Sequence, residues 1–292
     1  MADISKISSG GIVYNVKDQM ARDDNLILFQ QANGLYTGRD LTVVFADEIA
    51  NFSDAWAWIK SRIQNANYTG IYIGDYIPIT MKNETVEMQV AGIDVYYRAT
   101  DNDLGHHIDF ISRDCFSELV QWNTTNNNNG NAESPYPYMV SNLHTWLTET
   151  LYSYLPQAVK DQIVTKRTLM EQRYSSAGTL KDSTNHGWQD IGKLWVPYEY
   201  EVFGSCVWST KGWSQGQALQ YPIFANSYLN RIKCIGKGGD RCAWWLASAT
   251  SDSSTFACRV EYYGYAYYWN AGKAIPVPVC FRIAAQGDDL RI

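Results

Sequence analysis

The sequence predicts an α+β protein, and three observations carry that reading. Apolar residues recur at helical spacing in two separate blocks, near residues 54–64 and 141–163. Between them, period-two alternation marks strands, as at Ile77 and Ile79. Beyond the second block the pattern is β-like to the end, in short strands separated by polar or Gly-rich turns. The 292 residues, 46% hydrophobic and 18% charged, are enough for one large or two moderate domains with an ample core.

Taken in order, residues 4–18 (ISKISSGGIVYNVKD) read as a hairpin turning at Gly10-Gly11. A lone hairpin is only marginally stable, so this one should pair with a sister chain or a larger particle. Residues 1–40 are assigned to that assembly or attachment segment, and 41–292 to a second, ligand-binding domain. Ser53-Asp54 caps a helix carrying Trp56, Ile59 and Ile63, which runs to Gln64. Strands are expected at 71–79, at 86–97 with a bulge at Gly92, and at 107–113. Residues 123–137 (NTTNNNNGNAESPYP) form a polar loop with little apolar surface to order it. Ser141 caps a second helix striped by Leu143, Leu147 and Leu151, and Pro156 restarts a helix to Ile163. The turn at 236–240 (GKGGD) leads into a strand containing Trp244 and Trp245. Phe256, Cys258 and Val260 alternate with Ala257, Arg259 and Glu261, as in a strand with one buried face. Pro276 and Pro278 place the start of the closing strand at a sheet edge.

A net charge of −6 argues against nucleic acid or an anionic membrane as partner, since both reward clustered Lys and Arg. No apolar run is long enough to span a bilayer, so no membrane insertion is expected. The N-terminal residues lack an apolar signal-peptide core, which implies synthesis and folding in a cytosol. The six cysteines show no zinc spacing and read as free, buried thiols.

The densest information lies near the C-terminus. Five of the nine residues from Tyr262 to Asn270 are tyrosine, with Trp269 beside them. A buried phenol needs a partner for its hydroxyl, so such a run suits a binding face better than a core. Tyr and Trp give rigid contact area there, while Ser and Asn give adaptable hydrogen bonds. The plainer alternative is a tyrosine-rich hairpin that closes a sheet.

Several segments also carry a resemblance. Residues 4–22 resemble the leader of tail and fibre proteins from phages of gut bacteria. Residues 72–78 (YIGDYIP), 105–115 (GHHIDFISRDC) and 194–204 (LWVPYEYEVFG) resemble an uncharacterised domain common in those phages and their hosts. The frame formed by residues 244–248 (WWLAS) and 279–283 (VCFRI) resembles the variable proteins of diversity-generating retroelements, which end in a C-type-lectin-like domain. In that family, positions read from adenine-rich codons vary inside a fixed frame. The resemblance implies a C-type-lectin-like fold with a variable region near 229–283. It also implies exposed, ligand-binding positions at Ser248, Thr250, Asp252, Ser253, Ser254, Tyr262, Tyr263, Tyr265, Tyr267, Tyr268 and Asn270.

Chemistry is sparse by comparison. His107 and Asp109 share a strand face and His106 points away, which favours a hydrogen-bonding role over a metal site. Only Trp269-Asn270 survives of the calcium-lectin pattern, so neither calcium nor another cofactor is expected. The reading is therefore a receptor-binding protein, not an enzyme, with a bacterial surface protein or glycan as partner. By analogy with fibres it would be a homotrimer on a virion, made in the host cytoplasm. An oxidase or glycan-cleaving enzyme on the same scaffold, and a bacterial surface-displayed binding protein, are the alternatives.

Overall fold

A computed structural model describes residues 6–9, 12–15, 19–101, 105–174, 186–211 and 219–286. It is an α+β structure of short helices and antiparallel sheets. The N-terminal hairpin is present: β1 (Lys6–Ser9) pairs with β2 (Ile12–Asn15) antiparallel, while the Gly10-Gly11 turn lies outside the described residues. Helix α1 (Gln19–Ala32) follows and was not foreseen, because no apolar periodicity marks it. It reaches the body through Ile27, which is buried, and through the Gln31 side-chain amide, which donates to the Ile73 carbonyl.

Short helices α2 (Leu41–Val44) and α3 (Ala46–Ile49) lead to α4 (Ala55–Gln64). The Asp54 carboxylate caps α4 as expected, accepting from the Trp56 and Ala57 N–H groups at 2.8 and 2.9 Å. Residues 71–75 form a turn, so the expected strand begins only at Tyr76. Asp75 explains the delay: it is fully buried and accepts from the Arg39 fork and from the Tyr72 N–H. Strands β3 (Tyr76–Met81), β4 (Glu84–Ile93) and β5 (His107–Cys115) then build a meander. The bulge falls between Val90 and Gly92, where a Cβ on Gly92 would meet Val95 at 2.3 Å.

After β6 (Val120–Gln121), the Ser141 hydroxyl caps α5 (Asn142–Thr145), which continues through a π-helical turn at Trp146–Leu151 into α6 (Tyr152–Tyr154). The helix restarted by Pro156, α7 (Gln157–Lys160), stops short of Ile163, which belongs instead to β7 (Ile163–Val164). Strand β8 (Arg167–Glu171) pairs with β9 (His186–Asp190). The expectation of strands alone beyond this point is corrected by α8 (Glu199–Phe203) and α9 (Pro222–Asn226). In α8 the Glu201 carboxylate accepts from the Tyr198 N–H at 2.7 Å, a cap hidden in the aromatic run, and Gly204 ends the helix at φ 75°. The Gly-rich turn joins β10 (Lys233–Cys234) to β11 (Arg241–Cys242) as expected.

Strands β12 (Trp244–Ala249), β13 (Phe256–Val260) and β14 (Ala266–Asn270) make a three-stranded sheet. Strand β15 (Ala274–Ile275) pairs with β6, and β16 (Pro278–Ala284) enters the five-stranded sheet in the order β3-β4-β5-β16-β7. The closing strand therefore begins at an edge, as the prolines implied, and becomes internal only at Arg282 and Ile283. Pro278 is tolerated because β7 pairs only with Arg282 and Ile283, so the strand's first residues have a ladder on one side alone.

Alternation decides what each face of that sheet holds. Phe110 and Phe281, directly paired, meet the Trp56 ring edge-on at 5.4 Å each. Their neighbours Asp109 and Arg282 turn to the other face and form a bidentate pair, 2.7 Å on both arms and fully buried. Beside them the Lys166 ammonium lies 2.5 Å from the Glu201 carboxylate and 3.8 Å over the Trp195 ring. Burial lowers Lys166 and raises Glu201, so desolvation outweighs their mutual attraction. All six cysteines are free, and all but Cys234 are buried.

Candidate functional site

The tyrosine segment is the tip and outer strand of the hairpin β13–β14. Glu261 and Tyr265 close a three-residue loop through the Glu261 N–H, which donates to the Tyr265 carbonyl at 2.9 Å. Gly264 supplies the left-handed residue such a loop requires, at φ 85°. This turn leaves Tyr262 and Tyr263 at the tip, 43% and 58% exposed, with ring centroids 4.3 Å apart. Tyr265, Tyr267 and Trp269 continue the exposed face along β14.

Beneath them the hairpin is firmly held. The Trp244 indole donates to the Arg231 carbonyl at 2.9 Å, and Trp245 donates to the Val120 carbonyl at 3.0 Å. Both Trp residues are fully buried, as is Cys258. Arg259 and Glu261 are buried too, so β13 has both faces covered instead of the single buried face its alternation implied. The cause is pairing: Arg259 lies across from Tyr267, and its guanidinium stacks 4.2 Å over the Trp269 ring. Its second partner is the Glu261 carboxylate at 2.5 Å.

The expected site residues divide. Tyr262, Tyr263, Tyr265, Tyr267 and Asp252 are exposed. Ser253, Ser254, Tyr268 and Asn270 are half-buried. Tyr268 stacks on Phe256 at 5.1 Å and meets Trp208 edge-on at 4.7 Å, on the face opposite its neighbours. Ser248 and Thr250 must be withdrawn from the exposed set, because both are fully buried. The Ser248 hydroxyl accepts from the Glu199 N–H at 2.8 Å, and the Thr250 hydroxyl donates to the Phe256 carbonyl at 3.0 Å. Strand β12 is buried on both faces along its whole length, so neither face turns a side chain outward there.

The polar loop also differs from expectation. Its apolar contacts are confined to its end, where Tyr136 packs on the core, yet Asn128 is fully buried and serves as a peg. Its backbone N–H donates to the Ser254 carbonyl at 2.9 Å, and its side-chain amide donates to the carbonyls of Ser253, at 2.6 Å, and Phe256. The loop thereby sets the position of Asp252, Ser253 and Ser254.

A family model for a domain of unknown function, DUF6273, matches residues 109–285, from β5 to the end of β16. The chain belongs to the DUF6273 family. No curated protein and no solved structure matches it.

Within the DUF6273 domain, a groove of about 390 Å³ opens beside the tyrosine hairpin. Leu119, Ile235, Ala243, Ile275 and Pro276 form apolar walls, and Trp269, Arg259, Glu261 and Tyr262 close the hairpin side. Sequence reasoning placed Trp269 in the aromatic run of the binding face, outside the expected ligand-binding positions, and assigned neither Arg259 nor Glu261 to a site. The signal was present: period two puts Arg259, Glu261, Tyr267 and Trp269 on one face once β13 and β14 are paired. No trio of His, Cys, Asp or Glu among the described residues is placed to hold a metal ion. His107 is engaged instead, its Nε2 accepting from the Tyr96 N–H at 3.1 Å and its Nδ1 3.0 Å from the Gly105 carbonyl. Among the described residues no helix is long and apolar enough to cross a membrane.

Proposed function

We propose that this DUF6273 protein is a ligand-binding module whose tyrosine-rich hairpin grips a bacterial surface molecule. The observation that supports this most directly is the exposure of Tyr262, Tyr263, Tyr265, Tyr267 and Trp269 on a hairpin whose inner strand is buried from Ala257 to Glu261. Exposed aromatic side chains on a rigid support lose little conformational entropy on binding. A C-type-lectin-like scaffold, with diversification of the exposed positions, is the reading supported by the resemblance of residues 244–248 and 279–283 to retroelement variable proteins. Attachment of a phage to its host is the role that follows from the leader-like residues 4–22. A homotrimer carried on the virion would convert weak single contacts into avidity, by about 10²–10⁴-fold.

The test replaces Tyr262, Tyr263, Tyr265 and Tyr267 together with serine and measures adsorption of the purified protein to candidate host cells. Binding should fall at least about tenfold, as expected when several aromatic contacts are removed. Each substitution alone should shift stability by no more than about 0.5 kcal/mol. Undiminished adsorption by a folded variant refutes the reading.

A further inference from the structure

We propose that the groove beside the hairpin is a side-chain pocket for a polypeptide ligand, taking a bulky apolar residue of an extended segment. This rests on the binding role proposed above and deepens it, by choosing protein over glycan. The groove's volume of about 390 Å³ falls within the range of functional ligand sites, about 300–1,000 Å³. Its charges cancel. Arg259 and Glu261 are paired at 2.5 Å, and the second Glu261 oxygen accepts from the Tyr262 N–H at 3.1 Å. One face of Trp269 is already occupied by the Arg259 guanidinium. The Arg259 Nε–H has no partner, but it is buried out of reach of the groove, so a sugar would set hydroxyls against mostly apolar walls and lose hydrogen bonds to water without replacement. An uncharged apolar side chain loses none. At the rim, Leu119 is 54% exposed and Tyr262 43% exposed, apolar surface that such a side chain would cover. The ligand backbone would then run out across Tyr263 and Tyr265, whose hydroxyls can meet its amides.

The experiment pans a displayed random peptide library against the full chain and, in parallel, applies the chain to a glycan array. Ala274, an exposed residue lining the groove, is replaced in Ala274→Trp to fill it, and Leu119→Ser removes one rim contact. Selected peptides should share one Leu, Ile, Phe, Met or Trp. Their affinity should weaken at least about tenfold on Ala274→Trp and less on Leu119→Ser, with circular dichroism unchanged. Peptides held equally by Ala274→Trp but lost on the four-tyrosine variant overturn the pocket and leave the tyrosine face standing. Binding of glycans without peptides overturns the ligand class. Failure to bind either overturns both readings.

Discussion

Two buried titratable residues pull the stability of this protein in opposite directions. Burial depresses His107 from 6.5 to about 4, and the nearby Arg282 adds to the effect. The native state therefore binds fewer protons than the unfolded chain between pH 4 and 6.5. The His107 contribution is complete above that window and disappears as pH falls through it, a change of about 3 kcal/mol. Burial raises Glu171 from 4.5 to about 7, only partly offset by the Ala249 N–H that donates to it at 3.0 Å. Here the native state binds more protons, so stability is lost as pH rises from 4.5 to 7, again by about 3 kcal/mol. Over the shared range the two slopes largely cancel. Glu171→Gln should expose the His107 slope, gaining about 3 kcal/mol relative to the parent between pH 4.5 and 7. Urea unfolding across that range checks it, and parallel pH profiles for the two proteins would refute the account.

At the scale of elements, the hairpin β13–β14 depends on parts distant in sequence. Asn128 fastens the turn between β12 and β13 with hydrogen bonds to Ser253, Ser254 and Phe256. Asn128→Ala would take one donor from the Ser253 and Phe256 carbonyls, which keep Arg173 and Thr250 as partners, at a cost of about 1–2 kcal/mol. Amide hydrogen exchange should rise first at residues 252–256, ahead of β14. A uniform loss of protection would instead point to global destabilisation. Gly264 is the corresponding requirement at the other end. A Cβ there would sit 3.1 Å from Ile232 in a left-handed backbone, so even alanine should disturb the tyrosine tip.

For the whole molecule, the connection between the N-terminal elements and the body is uneven. Among the described residues before Leu35, the ties to the rest include the Tyr72 hydroxyl donating to Asp24, the Gln31–Ile73 bond and the buried Ile27. Residues 36–40 are tied in far more tightly, because Arg39 and Tyr36 both engage the buried Asp75 carboxylate. Deleting residues 1–34 should cost about 1.5–3 kcal/mol, chiefly the lost burial of Ile27. Deleting residues 1–40 should cost about 3–5 kcal/mol by leaving Asp75 buried without its cation. Comparing the two truncations by thermal unfolding tests this, and equal losses would contradict it.

The sequence by itself determined the local pieces: the N-terminal hairpin, the Asp54 cap and its helix, the Gly92 bulge, the Gly-rich turn before Trp244, and the tyrosine cluster as an outward face. Each is written in neighbouring residues, through capping chemistry, glycine geometry or period two. Tertiary structure alone decided which pieces sit side by side. It buried Ser248 and Thr250 by covering β12 on both faces, and it made the end of β16 internal by setting β7 beside Arg282 and Ile283. It also stacked Arg259 on Trp269 and opened the groove next to them. None of these outcomes has a local signature. They depend on long-range pairing, in which a residue's surroundings are set by strands dozens to more than a hundred positions away.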